Sequence, residues 1–169
     1  MKLKSLSIAL WAIACSSIFF FGNAGTNEKA NVYFDADFRT DRIEPVLQFL
    51  NKGDTCFVSI RVNAAMNLNS YSIILQFDSS IVAIRDAADK KSLSEKPFLE
   101  STGKKSISLK NLKGNEAEFA AALQGAGLSV SGNGCLAYFS FNCVKSGNPA
   151  IVIKEVKLVA PNGTIDKLP

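Results

Sequence analysis

The chain has 169 residues, 47% of them hydrophobic, with 19 Lys and Arg against 15 Asp and Glu and no histidine. Without histidine, serine- and cysteine-type catalytic triads lack their usual base. A net charge of +4 is no electrostatic footprint for nucleic acid, and the length predicts one domain with a core of its own.

The chain opens MKLKSLSIALWAIACSSIFFFGNAG. Lys2 and Lys4 precede an apolar run from Leu6 to Phe21, and Gly22-Asn23-Ala24 supplies small residues for cleavage. This is the three-part pattern of a secretory signal peptide, residues 1–24, cut after Ala24. Two alternatives are an uncleaved anchor and lipidation at Cys15, which follows Ala12-Ile13-Ala14. The apolar core runs on past Cys15 through Phe21, which argues against lipidation. Cleavage leaves about 145 residues with no membrane span. It removes two lysines and no acid, so the charge falls from +4 to +2. The expectation is a secreted, bacterial protein.

Residues 25–44 read as a lead with a candidate first strand at Val32–Phe38. Within it, Asp35–Asp41 has the acids of a calcium loop but fails the EF-hand pattern: Thr40 and Val46 stand where Gly and Glu are required. Val46–Leu50 is a second short candidate. In Gly53–Val62, Cys56, Val58, Ile60 and Val62 share one face, with Phe57, Ser59 and Arg61 on the other. In Ser70–Phe77, Tyr71, Ile73, Leu75 and Phe77 alternate with Ser70, Ser72, Ile74 and Gln76. Asp78-Ser79-Ser80 ends that strand, and Ile81–Arg85 follows.

Ala87–Leu99 is a polar stretch fit for a loop or a helical turn. Ser106–Lys110 and Ala117–Leu123 are short strands. In Gly134–Val144, Cys135, Ala137, Phe139, Phe141 and Cys143 form the apolar set, and Leu136, Tyr138, Ser140 and Asn142 face away. Ala150–Val159 is the last strand, before the turn Pro161-Asn162-Gly163; Asn162-Gly163-Thr164 is also a glycosylation sequon. Period-two alternation between Gly- and Asn-rich turns predicts half-buried antiparallel strands. The predicted fold is all-β: a two-sheet antiparallel sandwich of about nine strands.

Three cysteines follow the signal segment: Cys56, Cys135 and Cys143. They form either one bridge with one free thiol, or three buried thiols. Cys135 and Cys143 lie on one predicted strand, roughly 26 Å apart at strand rise, so any bridge uses Cys56. That separation also disfavours a zinc site. A glycosidase needs two carboxylates across a cleft, whereas the acids here are scattered through turns and loops. No metal, cofactor or catalytic residue is expected.

The order of the segments resembles the cohesin family. Its members show a Gly-Asp-Thr strand, a Tyr-Asp-Pro-Ser-Val-Leu turn and a Gly-x-Leu-Ala-x-Ile-x-Phe strand. Here these correspond to Gly53-Asp54-Thr55, Phe77-Asp78-Ser79-Ser80-Ile81-Val82 and Gly134-Cys135-Leu136-Ala137-Tyr138-Phe139-Ser140-Phe141. The match covers about residues 46–165, within a cohesin-like domain at 45–169. The resemblance implies a jelly roll that docks a dockerin, a calcium-loaded helical module on secreted enzymes, in extracellular polysaccharide degradation.

The implied partner-binding face is Ser70, Ser72, Ile74 and Gln76, with Leu136, Tyr138, Ser140 and Asn142 on the strand beside it. Familiar dockerin-binding members carry Asn and Asp where Ser70 and Ser72 align, which implies a divergent partner. The resemblance also places Cys56 in the sheet opposite Cys135 and Cys143, so that a bridge from Cys56 to either would join the sheets. Two alternatives differ in class. A carbohydrate-binding module would hold a polysaccharide, but with Trp11 lost to the signal segment only Tyr138 and Tyr33 offer outward aromatic rings. The other is a structural or adhesin-type sandwich.

Overall fold

A computed structural model describes residues 27–36, 49–90 and 96–168. The signal segment, Cys15, residues 37–41 of the acidic stretch and residues 46–48 of the second strand candidate lie outside these. Nine strands are present among the described residues: β1 Asn31–Asp35, β2 Thr55–Leu68, β3 Ser70–Gln76, β4 Val82–Ala88, β5 Ser106–Lys113, β6 Glu116–Leu123, β7 Val130–Cys143, β8 Val152–Val159 and β9 Ile165–Leu168. They build a jelly-roll sandwich of two antiparallel sheets, ordered β1-β2-β7-β4 and β5-β6-β3-β8-β9.

Alternation decides what lies between the sheets. From β3 come Tyr71, Ile73 and Leu75, from β2 Cys56, Val58, Ile60 and Val62, and from β7 Ala137, Phe139, Phe141 and Cys143; all are buried. Phe77 and Phe141 meet edge to face at 5.1 Å, as do Phe119 and Phe139 at 6.4 Å. Each such large side chain stabilises the fold by about 1.5–3 kcal/mol relative to exposure. At the end of β3, the Asp78 carboxylate accepts the Ser80 N–H at 2.9 Å, and the Asp78 carbonyl accepts those of Ile81 and Val82. The chain thereby turns and returns Ile81 and Val82 to the core from the other sheet.

Bulges modify the alternation of the two longest strands. Ile60 pairs with Ala137 but Arg61 pairs with Cys135, so Leu136 is an extra residue. Farther along β2, Ala64 and Asn67 adopt φ of 56° and 52°. Their N–H groups donate to Asn133 Oδ1 and Ser131 Oγ of β7, which replaces the lost ladder bonds. At the start of the described chain, the Asn27 N–H donates to Asp166 Oδ2 at 2.6 Å, and Asn27 Oδ1 accepts from Met66 N–H.

Three expectations change. The last residue of the candidate 46–50 makes only an isolated bridge pairing, Leu50 with Gly147, while Ile165–Leu168 supplies a strand that its four residues did not announce. Next, β2 and β7 are neighbours within one sheet, not opposed across the core. Cys56 lies opposite Phe141, one diagonal step from Cys143. Accordingly no inter-sheet bridge forms from Cys56 to Cys135 or Cys143, and none of the three is in a disulfide. Burial, with Cys143 close by, pushes the Cys56 thiol up to about 11.

Candidate functional site

The outward residues of β3 are those the alternation selects: Ser70, Ser72 and Ile74 are half-buried and Gln76 exposed. The neighbours of β3 are β6 and β8. Leu136, Tyr138, Ser140 and Asn142 do not join this face, because β7 belongs to the other sheet. Leu136 does not face outward at all. The bulge turns it into the core, fully buried, and leaves Cys135 half-buried in its place. Tyr138, Ser140 and Asn142 point outward from the four-stranded sheet, where Thr55 Oγ1 donates to Asn142 Oδ1 at 3.4 Å.

Strand register composes the β3 face as cross-strand rows. At one end Ser70 lies between Ala122 of β6 and Val159 of β8, with Ile107 of β5 and Ile165 of β9 at the flanks. In the next row Ser72 lies between Ala120 and Lys157, with Leu109 and Lys167 outside them. Small side chains thus floor β3 and β6, with Val159 and Lys157 beside them on β8. Ile107, Leu109 and Ile165 rise at the edges, 54%, 72% and 55% exposed. The result is a shallow trough across the middle of the sheet.

The other end of the face is charged. Ser72 Oγ bonds Glu118 Oε1 at 3.2 Å. Glu116 pairs with Lys154, and Glu155 with Lys157, whose ammonium holds the Glu155 carboxyl below its usual range. Ile74 sits at the edge of a hollow of about 350 Å³ formed with Asn111, Lys113, Glu116 and Glu118. Sequence reasoning missed Ala120, Ala122, Glu118, Glu155 and Lys157. Their alternation was visible, but nothing local said which strands flank β3.

A second concavity, about 260 Å³, lies on the outer face of the four-stranded sheet. Arg61, Cys135 and Tyr138 form its floor, and Asp89, Lys96, Phe98 and Ser101 its wall. Among the described residues no group of three or more Cys, Asp or Glu side chains gathers to hold a metal ion, and no helix is long and apolar enough to cross a membrane.

No family model and no curated protein sequence matches the chain. Solved structures do. The second type II cohesin module of the adaptor scaffoldin ScaA from Acetivibrio cellulolyticus aligns with a TM-score of 0.56 at 13% identity, over 80% of this chain and 82% of that one. A type I cohesin from Clostridium thermocellum, solved with a dockerin, gives 0.54 at 11% identity, over 80% and 89%. A non-cellulosomal cohesin from the archaeon Archaeoglobus fulgidus gives 0.52 at 17% identity, over 68% and 74%. Strand order, sheet composition and these superpositions together give the chain the cohesin fold.

Proposed function

We propose that the protein is a non-catalytic, secreted docking module that captures a dockerin-like helical partner on the outer face of its five-stranded sheet, in extracellular polysaccharide degradation. The observation that carries this reading is the trough. Ser70, Ser72, Ala120 and Ala122 leave space along β3 and β6, bordered by exposed Ile107 and Leu109 on β5 and by Val159 and Lys157 on β8. A helix can lie in such a space with apolar contact at its sides and hydroxyl contacts beneath. The charged end, with Glu118, Glu155 and Lys157, supplies register and discrimination between partners. Ser70 and Ser72 imply a partner helix unlike those matched by Asn and Asp.

Solved cohesins of this fold include complexes with dockerins, which supports the same mode here. The test is affinity capture from the secreted proteins of the source organism, with calcium and then with chelator. Enzymes carrying paired calcium-loop repeats, released by chelator, are the expected result. Absence of such proteins from the eluate would overturn the docking reading.

A further inference from the structure

We propose that the cleft on the four-stranded sheet is a subsite for one uronic-acid residue of an acidic polysaccharide, separate from the docking face. Arg61 projects outward from β2, and its cross-strand partner on β1 is Tyr33, which hydrogen-bonds the guanidinium. Its other electrostatic neighbours are Cys135 and Tyr138. Three lysines elsewhere on the surface are paired with acids: Lys110 with Asp86, Lys154 with Glu116, Lys157 with Glu155. Among the described residues no carboxylate forms an ion pair with Arg61. A guanidinium held in place on a rigid sheet, with no carboxylate of its own, is a fork that fits an incoming carboxylate with two parallel hydrogen bonds.

The rest of the cleft suits a sugar ring better than a peptide. Lys96 adds a second cation to the wall. Among the described residues Asp89 is the one acid in the lining, and burial raises its carboxyl above the ordinary range, with Lys90 opposing and Glu100 adding to the shift. Asp89 and Ser101 offer polar oxygens to ring hydroxyls, while the half-buried ring of Tyr138 offers apolar surface to a sugar's C–H face. At about 260 Å³ the cleft is smaller than the roughly 300–1,000 Å³ that drug-sized ligands occupy, a scale suited to one monosaccharide unit of a longer chain. An acidic peptide would gain its main-chain bonds at a strand edge. Here the floor strands β2 and β7 are each paired on both sides.

Calorimetric titration tests this with protein produced from the full-length sequence, using trigalacturonate and its neutral counterpart, galactotriose. Trigalacturonate is expected to bind at least tenfold more tightly than galactotriose, and to weaken with added salt. Arg61→Met should remove at least tenfold of that affinity, and Arg61→Lys should restore only part of it, because the charge returns without the fork. Thermal unfolding of each variant checks its fold. Lys96→Met, on the cleft wall, gives an independent loss of about threefold should Arg61→Met fail to fold. Equal affinity for the neutral sugar, no binding of either sugar at millimolar concentration, or binding of a short polyglutamate peptide as tight as that of trigalacturonate would each overturn the assignment.

Discussion

The Tyr71 phenol on β3 donates a hydrogen bond to the Leu136 carbonyl on β7, joining the two sheets through the core. Leu136 is the bulge residue, so its carbonyl meets a side chain from the facing sheet. Tyr71→Phe would keep the ring and leave a buried acceptor without this partner. The expected loss is about 1–3 kcal/mol, read as a lower urea midpoint with an unchanged m-value. A midpoint equal to that of the wild type would show that the bond contributes nothing net.

Alkaline solution should weaken the fold through its buried acids of high pKa. The Cys56 thiol moves from 9.0 to about 11 on folding, chiefly by burial. Below pH 9 both states hold the proton and the contribution to stability is whole. As pH rises from 9 towards 11 the unfolded chain releases its proton first, so stability falls. Burial also pushes the Tyr71 phenol well above its usual range, with Asp89 and Cys135 adding, which extends the loss to still higher pH. Thermal midpoints between pH 8 and 10 should decline, and Cys56→Ala should flatten that decline. An equal slope in the variant would remove Cys56 from the account.

Changes on the β3 face should separate binding from folding. Ser72→Arg and Ile74→Asp are expected to reduce partner capture at least tenfold while the thermal midpoint stays within a few degrees. Ala120→Trp, which fills the trough beside Ser72, should act in the same way. Unfolding of Ile74→Asp would mean that the strand register is displaced by one residue, since every β3 side chain would then exchange faces.

Gly134 sits under the Phe98 ring, and a β-carbon there would lie 2.3 Å from the ring. Gly134→Ala must therefore displace Phe98 from the wall of the second cleft. Destabilisation of about 1–3 kcal/mol is expected, together with weaker trigalacturonate binding. Unchanged values for both would show that the ring moves aside without cost.

Much of the fold could be read from local alternation. Tyr71, Ile73 and Leu75 reach the core as their period requires, and Asp78 ends the strand by the side-chain capping that its position suggested. The outward set Ser70, Ser72, Ile74 and Gln76 was legible for the same reason. The composition of the face was not. Period two says that Ala120 and Ala122 share a side, but only long-range pairing makes them neighbours of Ser72 and Ser70. The misplacement of Tyr138, Ser140 and Asn142, and of Cys56 relative to Cys143, has that origin. Leu136 failed differently: one inserted residue exchanged it with Cys135 between interior and surface, and bulges leave little trace in a hydrophobic pattern.

The bond from Asn27 to Asp166 sets the first described turn beside the last strand. A module held at those two points would carry tension through its margin. Force pulling them apart would first meet this one hydrogen bond and the four paired residues of β9, whereas β3 lies two strands farther in, flanked by β6 and β8. A partner seated on β3 would then keep its grip while the tether took the load, as a clamp does when its jaws are out of line with the rope.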